Sequence, residues 1–422
     1  MESTASVSTS PSDTQTTRRA PRWWRWLRWL PITLITLVAV VITLEVTWRR
    51  NPEAIPLKAC QSSDTLGNAY CQTHFDYDDP LRLGYVFKPG YSFAGDWNPA
   101  DPLNVDAVDE TCGPFPDHTF YYTFQADDNG FINNATPWLD QYDIVVTGDS
   151  FSMPFAPVWW VDVLAEETGM DVLNLGMNGW GTISEAEAVR MYGMERNPRW
   201  VVLLYFEGND LFNIEEYQRR QESGYDWRTY QLKQVAPLER YVMPHMLRYW
   251  RDELQAAFQD EEEPVCRYPM TVSTNVNTFE TVFFTPHILQ LSWTRDDILA
   301  SDGWTLFTQT ILDLQRDLAA QNTRLLVVYV PSKERLYWRR LWDEVDVGHF
   351  LELTSSLRTF AELDAHIDDQ MALVEGFALA NDIEFVNLTG EFWQRTMIDG
   401  QEYYNFADVH WNADGNQLVG EL

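Results

Sequence analysis

YDIVVTGDSFSMPF, residues 142–155, changes character halfway along. It starts as a short, nearly unbroken apolar run and turns at Gly148-Asp149-Ser150. A strand without apolar/polar alternation is usually buried on both faces, as in a parallel sheet covered by helices. Four later runs read the same way: DVLNLG at 171–176, RWVVLLYFEG at 199–208, RLLVVYVPS at 324–332 and IEFVNLT at 383–389. Helical periodicity fills 158–168, 183–195, 302–321 and 355–380. Strands alternating with helices predict βαβ units and a doubly wound α/β domain. Ligands in such domains sit at the carboxyl ends of the strands.

The residues just beyond each apolar run therefore matter most. After the first run comes Gly148-Asp149-Ser150, and after the second come Gly176, Gly179 and Gly181. After the third comes Gly208-Asn209-Asp210, and near the C-terminus FADVHWNADG, 406–415, carries Asp408 and His410. A serine nucleophile needs a base, a carboxylate to orient that base, and donors for a developing oxyanion. Ser150, His410 and Asp408 supply the first three groups. The N–H of Ser150, a backbone N–H at Gly179 and the amide of Asn209 supply the donors. In an extended segment, residues i and i+2 point to the same side, which would bring Asp408 to His410. Asp364-Ala365-His366 has the same spacing but lies in a helical pattern, where such residues diverge by about 200°. Asp149 reads as a structural residue of its turn, and Asp210 as a brace of the loop that it begins.

This ordered set resembles the SGNH (GDSL) hydrolase superfamily over roughly residues 141–422. The Ser, Gly, Asn and His of that name match Ser150, Gly179, Asn209 and His410. Gly179 is preferred to Gly176 because NLGMNG parallels the family's N-x-G-x-x-G pattern, whose second glycine has the oxyanion role. DNGFINN, YFEGND and YVPSKERLYW also look like bacterial members. Many members place Asp three residues before His. Here position 407 is Ala and the Asp is 408, in a D-x-H-W block like that of the alginate O-acetyltransferase-type branch. The resemblance implies a flavodoxin-like, three-layer α/β/α parallel sheet and a Ser-His-Asp acyl-enzyme mechanism, with no cofactor. It implies an esterase acting on acyl groups, O-acetyl on carbohydrate foremost. An O-acyltransferase to polysaccharide and an inactive carbohydrate-binding protein on the same scaffold are the alternatives.

The rest of the 422-residue chain sets the context. A net charge of −33 repels phosphate backbones, which argues against nucleic acid as a partner. Residues 1–20 are Ser/Thr-rich and aperiodic, and read as a disordered cytoplasmic tail. Residues 21–48 read as a transmembrane signal-anchor. No charge falls between Trp29 and Leu44, and tryptophans flank the run. Five arginines precede it against Arg49 and Arg50 after it, so the positive-inside rule exports the remainder. A cleaved signal peptide is the competing reading, but no small-x-small site comes after the apolar run. Localisation is thus expected at the cell membrane, single-pass, with an extracytoplasmic catalytic domain.

Cys60, Cys71, Cys112 and Cys266 all lie after the anchor, an even count that suits two disulfides. Cys60 with Cys71 is the local pairing, which leaves Cys112 with Cys266. No cysteine/histidine cluster has zinc spacing, so no structural metal is expected. Residues 49–140 read as an extracytoplasmic segment of short strands and turns. Within 141–422, residues of about 211–300 interrupt the strand–helix rhythm, as a lid or as inert decoration. The chain stops at Leu422 inside a final helical pattern, which leaves room for residues beyond it.

Overall fold

The structure is a computed structural model. It describes residues 29–97 apart from 57–58, 61–62, 64–65, 73 and 77–82, and then 119–134, 137–256, 270–341 and 360–422. The expected tail at 1–20, residues 21–28 of the expected anchor, and Cys112 and Cys266 lie outside these.

The first element is the apolar helix α1 (Leu30–Arg50). Two antiparallel pairs come next: β1 (Phe75–Asp76) with β2 (Val86–Phe87), and β3 (Ser92–Trp97) with β4 (Phe120–Gln125). Cys60 and Cys71 form a disulfide, the local pairing read from the sequence.

The main unit then alternates strand and helix. It runs through β5 (Ile144–Thr147), α2 (Trp160–Thr168), β6 (Val172–Asn174), α3 (Thr182–Ala188), β7 (Trp200–Phe206) and α4 (Asp210–Ser223). An excursion holds α5 (Val242–Ala256) and the antiparallel pair β8 (Met270–Ser273) and β9 (Thr278–Thr281). The alternation resumes with α6 (Asp302–Ala319), β10 (Arg324–Val330), α7 (Lys333–Trp338), α8 (Asp369–Ala380), β11 (Glu384–Asn387), α9 (Leu388–Asp399) and α10 (Ala413–Glu421).

All five apolar runs are strands of one parallel sheet, in the order β11-β10-β7-β5-β6. Read from its far edge, the order is that of a flavodoxin-like doubly wound sheet, 2-1-3-4-5 when strands are numbered within the sheet. Val145, Leu173, Val201, Leu203 and Val327 are buried at its centre, as strands covered on both faces require. α2 packs with α10, while α3, α4 and α6 pack together. Gly420 lets α10 approach closely, since a Cβ there would stand 2.4 Å from Cβ of Val163 in α2. The strand order reverses between β5 and β7, and Ser150 and Asn209 lie just beyond those two strands.

The helical segment expected at 183–195 is α3, with further helical turns to Arg196. The one expected at 355–380 is instead broken between His366 and Asp369, with its earlier part outside the described residues. α4 was not legible as a helix. Its sequence DLFNIEEYQRRQES is mostly polar, and its buried face mixes the charged Asp210 and Arg220 with Leu211, Ile214 and Tyr217. The excursion is not a detached lid. Val282 N–H and the Thr281 hydroxyl both donate to the Phe406 carbonyl, at 2.8 and 3.1 Å, two residues before Asp408.

Candidate active site

β5 ends at Thr147, and Ser150–Ser152 form a single 3₁₀ turn. Asp149 caps this turn. Its Oδ1 accepts the Phe151 N–H at 3.0 Å and its Oδ2 accepts the Ser150 hydroxyl at 3.4 Å. The turn is wedged tightly. A Cβ on Gly148 would lie 2.6 Å from Ser152 Oγ, and one on Gly176 would lie 2.2 Å from Ser152 Cβ. Gly176 is therefore the close-packing glycine of the NLGMNG block.

Gly179 has a different reason to be glycine, a φ of +74°. It lines a neighbouring cavity with Tyr85, Trp180 and Trp227 and is not on the wall shared by Ser150 and His410. Asn209 flanks the start of α4 without capping it, and its side-chain amide lies close enough to Asp149 to favour the charged form of that carboxyl. Its Oδ1 meets no donor among the described residues. The amide carries two N–H donors for a neighbouring acceptor.

His410 and Asp408 are joined twice. The Asp408 Oδ1 accepts the imidazole Nδ1–H at 2.7 Å and the His410 backbone N–H at 2.8 Å. Their closeness comes from this side-chain-closed turn within a run of bends, not from the alternation of an extended segment. Burial works to raise the Asp408 carboxyl. The charge of His410, both hydrogen bonds from His410 and the Lys333 ammonium outweigh it, so the pKa falls below the ordinary carboxylate value. Asp408 stays ionised and holds the imidazole with its proton on Nδ1, which turns Nε2 into the basic nitrogen. Ser150, Phe151, Phe155, His410, Trp411 and Asn416 line one small cavity of about 10 Å³. The Phe151 and Phe155 rings lie 5.1 and 5.4 Å from the imidazole, centre to centre. The other Asp-x-His pair is apart, as its helix requires: Asp364 bonds Arg339, and His366 bonds Asp369.

Three functional supports escaped sequence reasoning, and they are consecutive. Lys333 is buried, and its Nζ donates to the carbonyls of Asn405, Phe406 and Asp408 at 3.1, 3.0 and 2.9 Å. Glu334 accepts the Phe284 N–H at 2.6 Å and meets His287 Nδ1 at 3.2 Å. Arg335 donates through Nε to Glu207 at 2.5 Å, and Glu207 also takes the Ser332 N–H at 2.7 Å. One short helix thus ties together the Asp408 loop, the excursion and the strand end that precedes Asn209. The available signal was a charged triplet inside an apolar context, VPSKERLYW. A charge run usually marks a solvated face, so the resemblance of this stretch is legible while its burial is not.

A buried acid group lies beneath the turn. Burial raises the carboxyls of Asp149, Glu185 and Asp210, and Coulomb repulsion from neighbouring carboxylates adds to this for Glu185 and Asp210. Asp210 also accepts the Phe206 N–H at 2.9 Å, which braces the end of β7. A fourth acid, Glu402, is lifted to about 7 by burial, with Lys333 and Thr281 opposing the shift.

Glu402 gives a pH signature. The folded carboxyl keeps its proton up to about 7, whereas the unfolded one releases it near 4.5. Between these values the folded state binds more protons, so stability declines as pH rises. The decline amounts to up to about 3 kcal/mol. Thermal or urea melts of Glu402→Gln across this window should show a flatter profile than the parent. Parallel profiles would reject the assignment.

Beside the small cavity lies a groove of about 690 Å³, lined by Tyr121, Tyr122, Phe124, Asp127, Trp159 and Asp162 among others. The segment 153–156 separates the two. Met153 and Phe155 face the small cavity, and Pro154 and Ala156 face the groove. Burial chiefly lifts the Tyr122 hydroxyl to about 12, with Tyr91 and the Asp408 carboxylate adding to it.

No known family profile matches the sequence, and no curated protein matches it. Solved structures match at low identity. A GDSL-like lipase from Bacteroides thetaiotaomicron is 13% identical, with 66% of this chain and 84% of the lipase covered and a TM-score of 0.29. An acetyl xylan esterase is 11% identical, with 66% and 96% covered and a TM-score of 0.32. A lipase/acylhydrolase from Enterococcus faecalis is 11% identical, with 66% and 90% covered and a TM-score of 0.30.

Proposed function

We propose that this chain is a serine esterase of the SGNH type, held at the extracytoplasmic face of a membrane by α1. The observation that carries the reading is the Asp408–His410 hydrogen bond, with that histidine and Ser150 on the walls of one cavity. His410 Nε2 takes the hydroxyl proton of Ser150 as Oγ attacks the ester carbonyl. The N–H of Ser150 and the amide N–H of Asn209 receive the oxyanion, while Gly179, on the neighbouring cavity, shapes the turn beside them. As the tetrahedral adduct collapses, the alcohol leaves with the proton carried by His410. Water then attacks the acyl-serine, His410 accepts its proton, and the acid and free Ser150 are released. Loss of one oxyanion donor costs roughly 10²–10³ in rate.

The substrate we favour is an O-acetyl or other short O-acyl ester on a carbohydrate. The cavity beside Ser150 is about 10 Å³, room for little more than one water molecule, which disfavours long acyl groups. The adjoining groove combines aromatic faces at Tyr121, Phe124 and Trp159 with polar groups at Asp128, Asn133 and Asp162, a lining that suits a polyhydroxylated chain. A groove that could seat a sugar acceptor also keeps acyl transfer to carbohydrate as the second reading. The Cys60–Cys71 disulfide supports an oxidising, extracytoplasmic setting.

The test is pre-steady-state hydrolysis of p-nitrophenyl acetate, followed by mass spectrometry of the quenched protein. The expected result is a burst with the acetyl group on the peptide that contains Ser150. A burst with the label on another residue, or identical rates with Ser150→Ala, would overturn the reading. Oligosaccharide acceptors added to the same assay separate hydrolysis from transfer by the mass of the product.

A further inference from the structure

Among the described residues α1 carries the longest run of exposed apolar side chains, α5 exposes three more, and the two helices are fastened together. α1 presents Ile32, Leu34, Ile35, Leu37, Val38 and Ile42 outward, more than a third exposed each. Near its end, Glu45 turns to the first turn of α5. Its two carboxylate oxygens accept the N–H groups of Val242 and Met243, at 3.1 and 2.8 Å, and Arg49 bonds the same carboxylate at 2.6 Å. A carboxylate at a helix N-terminus is favourable, so this joint is directional. Trp48 meets Trp250 with ring centres 5.8 Å apart. Trp48, Ile55, Leu66, Val242, Met243 and Met246 close a small core around the joint.

That core uses only part of the apolar stripe of α5. At about 100° per residue, Val242, Met246, Trp250, Met243, Leu254 and Leu247 fall in sequence across a stripe of about 140°. The Val242–Met246 edge is buried. The other edge is open: Leu247, Trp250 and Leu254 are 56%, 44% and 62% exposed. Arg248 and Asp252 lie on the opposite side of the helix, where they pair with Glu239 and Arg251. Tyr241 and Leu238, just before α5, are also exposed, and the Arg49 guanidinium stacks 5.1 Å from the Tyr241 ring centre.

We infer that α5 lies in the extracytoplasmic membrane interface, with Leu247, Trp250 and Leu254 immersed, as a second attachment that sets how the ester site faces the lipid surface. The inference rests on the reading that α1 spans the bilayer. The occupant is lipid because Glu45 and the buried Trp48 fasten α5 to the end of α1, which holds the open edge beside the surface of the bilayer that α1 enters. The exposed Trp250 and Arg49 at that junction are side chains of the kind that settle at headgroup depth. The part of the chain after α1 is strongly acidic, so anionic lipid would not hold it and the apolar edge carries the contact.

The test uses the full chain in phosphatidylcholine nanodiscs, with a nitroxide attached at Leu247→Cys, Leu254→Cys, Asp252→Cys or Val38→Cys. The unsubstituted chain gives the labelling background. Collisions with oxygen report lipid, and collisions with a water-soluble nickel chelate report solvent. Positions 38, 247 and 254 should favour oxygen several-fold over position 252, with no change on adding phosphatidylglycerol. If 38 favours oxygen while 247 and 254 match 252, the interfacial helix is overturned and the anchor stands. If 38 itself favours nickel, the anchor reading fails and this inference falls with it.

Discussion

Replacing His410 with Ala is expected to lower kcat for p-nitrophenyl acetate by on the order of 10⁴–10⁶. Ser150→Ala should do the same, and the double variant should be no slower than either single one. The reason is that the proton taken by His410 and the attack by Ser150 belong to one step. Once one partner is gone, the other has nothing left to assist. Asp408→Asn should cost less, on the order of 10⁴, because it leaves the geometry but favours the wrong imidazole tautomer. Folded content should be checked by near-UV circular dichroism, since Asp408 and His410 close a turn as well as a proton path. Additive losses in the double variant would mean that the two residues act separately, and the acyl-enzyme reading would fail.

The second large effect is expected at a residue outside the cavity. Lys333→Met removes the donor to the carbonyls of Asn405, Phe406 and Asp408. The Phe406 carbonyl keeps two donors from the excursion. The other two lose an ammonium partner, at about 1–3 kcal/mol each. Stability should therefore fall by about 2–6 kcal/mol. The loop carrying Asp408 and His410 should also relax, and a displacement near 1 Å is enough for about 10² in rate. kcat should fall while KM stays within a few-fold, because Lys333 is not on the cavity wall. Lys333→Met with parent kcat at a temperature where it is fully folded would show that the buried ammonium is only a fold element.

The sheet was legible because burial on both faces writes itself into sequence as unbroken apolar runs. Val145, Val201 and Val327 are central in the structure for the reason that made them conspicuous in the sequence. Ser150 and Asn209 were legible because turns at strand ends use distinctive residues, and His410 because of its spacing from Asp408. The rest depends on tertiary neighbours. Nothing local shows that Asp149 will hold both the Ser150 hydroxyl and the Phe151 N–H, that Gly176 is squeezed while Gly179 needs its positive φ, or that Lys333-Glu334-Arg335 will be buried. Buried charge becomes interpretable only when its partners are known, and here these lie at Glu207, Phe284 and 405–408. The helix α4 failed for the complementary reason, since the buried Asp210 and Arg220 blur the apolar stripe of Leu211, Ile214 and Tyr217.

The hairpin β8–β9 bears on how this chain could be shortened. In the linear sequence, 211–300 looks like a block that could be cut out and the ends rejoined. In the fold, Thr281 and Val282 hold the Phe406 carbonyl, Phe284 and His287 sit on Glu334, and Ser273 takes the Arg340 carbonyl at 2.7 Å. A minimal enzyme made by excision would carry every residue of the proposed catalytic set and lack the scaffolding that keeps their loop in register. A trimmed relative that works would have to supply new donors at those same positions, which makes them the places to inspect before any redesign.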